Sequence, residues 1–199
     1  MINFIIKIIN LNINLFKKDK IIYHLLIKYI YIKMINNMGL ARLREEYSLC
    51  TQDNDLIQIG CNFGLENNNI QRWRITMLGP RGTPYEGGLF TILAIFPDDY
   101  PNHGPDFKFI NKIYHLNVDF KNDLGHICIN SINAWRVAGQ VPGKPVYTVK
   151  QALFDIFCLF YNQGVEGAYD EEMARLYQKE PEKFNNEAKR WTQQFASMF

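Results

Sequence analysis

From Trp73 to Phe96 the chain reads WRITMLGPRGTPYEGGLFTILAIF. Residues 73–77 alternate between apolar and other side chains, and residues 89–96 are rich in β-branched and aromatic residues, so two strands are predicted. The link between them is short and carries glycines and prolines, which suits neighbouring antiparallel strands rather than a crossover through a helix. The stretch therefore predicts the centre of an antiparallel meander.

Further elements are predicted on both sides of this stretch. Two more strands are expected at Leu56–Cys61 and Phe107–Ile110, and apolar residues at helical spacing predict a helix over Leu40–Leu49. After an irregular segment, three more helices are expected: Thr148–Tyr161 with Thr148 as N-cap, Asp170–Lys179, and Pro181–Met198 with its proline in the first turn. The expected fold is α+β, with an N-terminal helix, a four-stranded antiparallel meander sheet, a long helix and two C-terminal helices.

The composition is that of a folded chain whose two ends differ in charge. The 199 residues are 47% hydrophobic, which supplies a core and excludes disorder along the whole length. Residues 1–37 hold six lysines and one aspartate, whereas residues 38–199 hold 16 basic and 19 acidic side chains. Because the body has no basic excess to neutralise phosphates, no nucleic-acid partner is expected.

Residues 1–37 form a leader in which isoleucine, asparagine and lysine fill 24 of 37 positions. It has no apolar stretch with a small-residue cleavage site, and its best candidate span, residues 21–32, is too short to cross a membrane. Two interpretations stay open: an interfacial helix with lysines on one face, or an upstream extension of a gene model whose true start is Met38. We predict a folded domain over residues 38–199 and a cytoplasmic or nuclear location, with membrane association through the leader as the lesser alternative.

The four cysteines do not have the spacing of a metal site. They are Cys50, Cys61, Cys128 and Cys158, with no C-x-x-C pair among them, so neither a zinc site nor another metal is predicted. Without a secretory signal, free thiols are expected. Cys50, Cys61 and Cys158 are predicted to be buried apolar residues, whereas Cys128 lies in a turn-rich stretch and is the candidate reactive thiol.

Several short motifs follow one another along the chain. They are Leu78-Gly79-Pro80, Gly82–Phe90, Phe96–Pro101, Pro105–Phe109, Ile113–Asn117 and Gly125–Ile129. In this order and spacing they resemble the ubiquitin-conjugating enzymes, the E2 family, and the resemblance extends from about Leu40 to Ala196. It implies the family's α+β fold, in which the helix at 148–161 crosses after the active-site cysteine, and a cis peptide bond at Tyr100-Pro101.

The resemblance also implies the chemistry. Cys128 matches the residue that accepts ubiquitin or a ubiquitin-like modifier from an E1 as a thioester, before transfer to a lysine or to a cysteine of an E3 ligase. Asn117 matches an asparagine that stabilises the oxyanion or braces the loop. His115, Tyr114 and Trp135 match structural residues of the active site. No cofactor is expected in this chain, because the E1 uses the ATP and Mg²⁺.

The sequence departs from the family at the acid that helps to deprotonate or orient the incoming lysine. An ungapped match puts Gly167 at this position. Glu166 and Asp170 are the candidate replacements, because a well-positioned carboxylate assists amine attack. A surface glutamate with no catalytic role is the simpler interpretation of Glu166.

Other departures concern partners, which are expected to be the modifier, an E1, an E3 and substrate lysines. Asn102 occupies the position at which many family members carry a bulky apolar residue that docks a ligase, and Pro145 and Val146 belong to the same expected partner surface. Arg136–Gly143 is an insertion near the thiol. We interpret it as a surface loop in preference to an element that affects chain building.

Two other functions compete with the enzyme interpretation. A non-catalytic ubiquitin-binding module with the same fold is the alternative, supported by Gly167 and Asn102 and opposed by the presence of Cys128 with Asn117. A cysteine protease using Cys128 and His115 is rejected, since no third group is available to orient the histidine.

Overall fold

The computed structural model describes residues 20–119, 125–140 and 146–197. Its strands are β1 (Asn62–Leu65), β2 (Arg72–Leu78), β3 (Leu89–Ile95), β4 (Asp106–Phe109), β5 (Val118–Asp119) and β6 (His126–Ile127). They form one antiparallel sheet in the order β1-β2-β3-β4-β6-β5. β2, β3 and β4 are three of the four predicted strands of the meander, and β1 comes after the segment predicted as the other one. Two short strands extend the meander, so the described residues form a sheet of six strands rather than four.

The described residues also form six α-helices. They are α1 (Lys20–Gln52), α2 (Asn54–Gln58), α3 (Asn130–Ala138), α4 (Val149–Leu159), α5 (Glu171–Lys179) and α6 (Pro181–Phe195). The last three confirm the predicted helices, and the start signals predicted for α4 and α6 are present. Thr148 and Gln151 form a reciprocal capping box at α4, Asp170 caps α5, and Pro181 is the first residue of α6.

The predicted strand Leu56–Cys61 is wrong. The Asp53 side chain accepts the backbone N–H groups of Asp55 and Leu56, both at 3.1 Å, and this N-cap starts the short helix α2. Such a cap satisfies the free N–H groups of a first helical turn, and an alternating apolar pattern does not reveal it. The first strand begins only at Asn62.

The irregular segment before residue 146 contains a helix that was not predicted. The nine-residue α3 buries only Ile132 and Trp135, so its apolar pattern is too sparse to recognise in the sequence. The first three residues of the predicted insertion Arg136–Gly143 form its last turn. That part of the insertion is therefore helix rather than loop.

The core lies between the sheet and α4. β2 and β3 pair from Arg72↔Ile95 to Leu78↔Leu89, and their inward side chains are fully buried. Phe160, directly after α4, packs on Phe90 and Phe109 with ring centroids 5.1 and 6.1 Å apart. This packing fixes where the chain leaves α4, and so positions residues 161–168 against the loop before β5.

The first helix is much longer than the predicted Leu40–Leu49. α1 passes without a break through the predicted domain boundary at residues 37 and 38, and Gly39 is the first buried residue among those of α1 whose burial the structure describes. Leu43 follows it into the core. Within the described residues, no helix is both long enough and apolar enough to cross a membrane. Most of the leader, residues 1–19, lies outside the described residues.

Candidate active site

Cys128 lies at the end of the sheet, directly after β6. Its backbone N–H donates to the Asn117 carbonyl at 2.8 Å, so the loop before β5 holds the cysteine in place. The residue is half-buried, and Asn133 of α3 donates through Nδ2 to the sulfur at a distance of 3.6 Å. Sequence analysis did not single out Asn133, because α3 itself was not predicted.

The other three cysteines differ from Cys128. Cys50 and Cys61 are buried as predicted, and burial raises the pKa of each thiol to about 12. Cys158 is exposed, contrary to prediction, because α4 turns its other face to the core, through residues such as Leu153 and Ile156. Among the described residues, no group of three or more histidines, cysteines or acids could hold a metal ion.

Asn117 is buried, and both atoms of its amide are hydrogen-bonded. Nδ2 donates to the Gly164 carbonyl at 2.8 Å, and the Gly164 N–H donates back to Oδ1 at 2.9 Å. The amide therefore fixes the start of the 3₁₀ turn Val165–Gly167. A Cβ built on Gly167 would lie 3.0 Å from Asn117 Nδ2 and 3.6 Å from Cys128 Sγ, so this turn passes beside the thiol.

His115 is buried on the same loop, and each of its ring nitrogens has a partner. The Asn117 N–H donates to Nδ1 at 3.0 Å, and Nε2 lies 3.1 Å from the Leu159 carbonyl, to which it must donate. Burial lowers the pKa of His115 to about 4, although the bond to Leu159 opposes this shift. The imidazole is therefore neutral, and neither nitrogen is left to take a proton from a thiol.

Tyr85 and Gln163 tie the segment after α4 to the loop before β5. The Leu116 N–H donates to Gln163 Oε1 at 2.8 Å, and Gln163 Nε2 donates to the Tyr85 hydroxyl at 3.0 Å. Burial raises the pKa of Tyr85, so its hydroxyl keeps a proton and donates it to the Tyr114 carbonyl at 2.8 Å. Tyr114 was a predicted site residue, but Tyr85 and Gln163 were missed, since they are 78 positions apart and no local pattern relates them.

The two predicted acids have different surroundings. Glu166 is exposed in the 3₁₀ turn next to Gly167, and it forms no hydrogen bond or ion pair with the rest of the described chain. Asp170 accepts the N–H groups of Glu172 and Met173 at 2.9 and 3.1 Å and so caps α5. The carboxylate of Asp170 is therefore committed to a helix end, whereas that of Glu166 is not.

The sequence profile of the ubiquitin-conjugating enzymes matches residues 42–192. The chain belongs to this family. It is similar to a solved Plasmodium yoelii structure assigned to the ubiquitin-conjugating enzymes, with 32% identity and a TM-score of 0.67 over 80% of this chain and 96% of that one. It is also similar to the E2 domain of a Toxoplasma gondii ubiquitin-conjugating enzyme, with 32% identity and a TM-score of 0.64 over 79% of this chain and 98% of that one.

Membership of the E2 family implies in general that a protein works with ubiquitin, an E1 and an E3. In this E2-family chain, α3 is joined to the loop that carries the Tyr100-Pro101 peptide bond, which is cis as the resemblance implied. Trp135, a predicted structural residue, is buried there, and its Nε1 donates to the Pro101 carbonyl at 3.1 Å.

The expected partner surface of the E2 domain is described only in part. Asn102 is exposed, and its carbonyl accepts the Gln140 N–H at 2.8 Å. The Gln140 side chain in turn exchanges two hydrogen bonds with the Tyr147 backbone, at 2.9 and 3.0 Å. Gln140 thus joins the chain at Asn102 to the chain beside Val146, which is 52% exposed. Pro145 lies outside the described residues.

Proposed function

We propose that this protein is an active E2 that accepts ubiquitin or a ubiquitin-like modifier from an E1 as a thioester on Cys128. It then transfers the modifier to a substrate lysine or to an E3 cysteine. The observation that carries this proposal is the half-buried Cys128 thiol, which lies beside the 3₁₀ turn that Asn117 fixes. A thioester is already activated, so the remaining work is to place the acceptor and to stabilise charge.

Asn117 acts in this proposal mainly as a brace. Both atoms of its amide bond the Gly164 backbone, and these bonds hold the turn that passes the thiol. A direct role at the oxyanion would require the amide to leave Gly164 during the reaction. His115 has a purely structural role, because its two nitrogens are occupied and the ring is neutral.

Glu166 is the better candidate for the acid that assists an incoming lysine. It is exposed beside Gly167, whereas Asp170 caps a helix. A carboxylate at this edge of the site would orient the lysine ammonium and accept its proton as the amine attacks.

We assign Asn102 and Val146, with Pro145, to the surface that meets an E3. A small polar residue at 102 offers no apolar anchor, so ligase choice would depend more on Val146. In this proposal the E1 uses the ATP and Mg²⁺, and this chain needs no cofactor of its own.

The test is thioester formation with E1, Mg-ATP and a panel of modifiers. We expect the wild type to form an adduct that disappears on reduction and Cys128→Ser to form at most a reduction-resistant adduct. Cys158→Ser is the matched control, because it removes the other accessible thiol and should leave loading unchanged. If the wild type forms no reducible adduct with any modifier, the enzyme proposal fails.

The alternative is a non-catalytic E2-variant module that binds ubiquitin. Gly167 favours it, because the turn beside the thiol has no acid at that position. A module of this kind would keep its cellular function in a Cys128→Ala variant, whereas an active E2 would lose it.

A further inference from the structure

We propose that Asn133 is a catalytic residue whose side-chain amide donates a hydrogen bond to the reacting sulfur of Cys128. The proposal rests on the role of Cys128 as the thioester acceptor. Asn133 Nδ2 lies 3.6 Å from Sγ, and within the described residues it is the sole side-chain donor bonded to that sulfur.

The Asn133 side-chain amide is positioned by the backbone of α3 rather than by a hydrogen bond from a neighbouring side chain. Asn133 lies in the first turn of α3, and its backbone N–H donates to the Ile129 carbonyl at 2.8 Å. Its Oδ1 atom is buried without a hydrogen-bond partner in the described part of the chain. An unpaired buried oxygen is costly, so an asparagine held there for packing alone would be unfavourable. The hydrogen bond from the Asn133 side-chain N–H to the Cys128 sulfur explains why an asparagine is kept here despite that cost.

The Asn117 side-chain amide cannot donate to the Cys128 sulfur while it holds the 3₁₀ turn. Both atoms of the Asn117 amide are bonded to Gly164 while the 3₁₀ turn is in place. The two asparagines therefore divide the work: Asn117 holds the turn, and Asn133 faces the reacting atom.

The sulfur is negatively charged at the start of loading and at the end of discharge. In loading, the Cys128 thiolate forms a bond to the carbonyl carbon of the E1 thioester, and the E1 sulfur leaves as a thiolate. In discharge, the acceptor amine or thiol bonds to that carbon, the proton of the amine goes to Glu166 and that of a thiol to solvent, and Cys128 leaves as a thiolate. Hydrogen bonds to charged groups are stronger than those to neutral ones, so the Asn133 N–H stabilises the sulfur in both steps.

The test is alkylation of the free full-length protein by iodoacetamide, followed for each cysteine by mass spectrometry. We expect Asn133→Ala to slow alkylation of Cys128 about three- to tenfold at pH 7 and to react at least as fast as the wild type at pH 10, which lies above the ordinary pKa of a cysteine thiol. Alanine favours helix more than asparagine does, so α3 should be retained. Exposed Cys158 is the internal reference, and protection of buried Cys50 and Cys61 reports a folded chain.

A second variant, Asn133→Asp, puts an anion in place of the donor and should slow alkylation of Cys128 further at pH 7. Unchanged rates in both variants at pH 7 would overturn the proposal. So would an equal deficit at pH 10, because altered access rather than a hydrogen bond would then explain the result. Neither E1 nor modifier is present in this assay, so its outcome is separate from that of the thioester test.

Discussion

His115 makes the stability of the protein depend on pH. Burial lowers its pKa to about 4, from the ordinary value of 6.5. Between these two pH values the unfolded chain binds a proton that the folded chain does not, so the stabilisation is complete above pH 6.5 and is lost as the pH falls. We expect His115 to account for a loss of about 3 kcal/mol in the free energy of unfolding between pH 6.5 and pH 4, measured by urea denaturation.

The matched variant for this measurement is His115→Asn. Its Oδ1 can accept the Asn117 N–H in place of Nδ1, and it does not titrate. The variant should be less stable at pH 7, because the hydrogen bond from Nε2 to Leu159 is lost. Its free energy of unfolding should depend less steeply on pH, because asparagine does not titrate. Parallel pH profiles for wild type and variant would show that His115 does not contribute to the slope.

Glu166 and Asp170 can be separated by discharge of the loaded enzyme to free lysine. We expect Glu166→Gln to slow this step about tenfold or more, because the variant cannot accept a proton. Asp170→Asn should stay within about twofold of the wild type, since asparagine is also a good N-cap for α5. Loading should be normal in both. Equal slowing in the two variants, or normal discharge in Glu166→Gln, would contradict this assignment.

At the scale of elements, two of the four glycines in the connection between β2 and β3 are expected to differ in how well they tolerate a side chain. A Cβ on Gly79 would lie 1.8 Å from the Tyr85 carbonyl oxygen, which is backbone and cannot move aside. Gly82 has a φ of +77° but open space around it. We expect Gly79→Ala to cost about 3 kcal/mol or more and Gly82→Ala about 1–2 kcal/mol, from thermal and urea unfolding. Similar costs for both would mean that the connection rearranges.

The elements that sequence analysis found are those with local signals. α4 and α6 have Thr148 and Pro181 at their starts, and both start signals are present as predicted. α2 was mistaken for a strand because its start depends on the Asp53 side chain, and α3 was missed because it buries only two side chains. In the candidate active site, too, sequence analysis found what has a local signal and missed what depends on distant segments. Cys128 was recognisable from its motif, whereas the Asn117–Gly164 bonds join segments 47 positions apart.

At the scale of the whole molecule, the described part of the leader contributes little to the core. The described side chains between residues 24 and 38 are exposed or half-buried, and Gly39 is the first of the described residues to be buried. We expect a chain that starts at Met38 to have a free energy of unfolding within about 1 kcal/mol of the full chain, because tolerance to truncation follows burial. A large drop in the urea midpoint would instead make residues 1–37 part of the folded domain.

Glu46 joins three distant parts of the protein. Its Oε2 accepts the Tyr100 hydroxyl at 2.6 Å and the Val149 N–H at 3.3 Å, and its Oε1 accepts from Arg42 at 2.8 Å. Glu46→Ala leaves the Tyr100 hydroxyl and the Val149 N–H unpaired at a buried site, whereas Arg42 keeps Glu45, so we expect the change to cost about 3 kcal/mol in urea unfolding. Glu45 also pairs with Arg42, but its side chain is 61% exposed.

Glu45→Ala is therefore the matched control for Glu46→Ala, and it should cost less than about 0.5 kcal/mol. Glu46→Gln should recover part of the loss, because its amide oxygen still accepts from Tyr100 or Val149. Tyr100→Phe, which removes the hydroxyl, should lower the free energy of unfolding less in the Glu46→Ala background than in the wild type, because Glu46 and Tyr100 share one hydrogen bond. Additive costs would mean that the two side chains stabilise the fold independently, and Glu46 would then not join α1 to the loop that carries Tyr100 and Pro101.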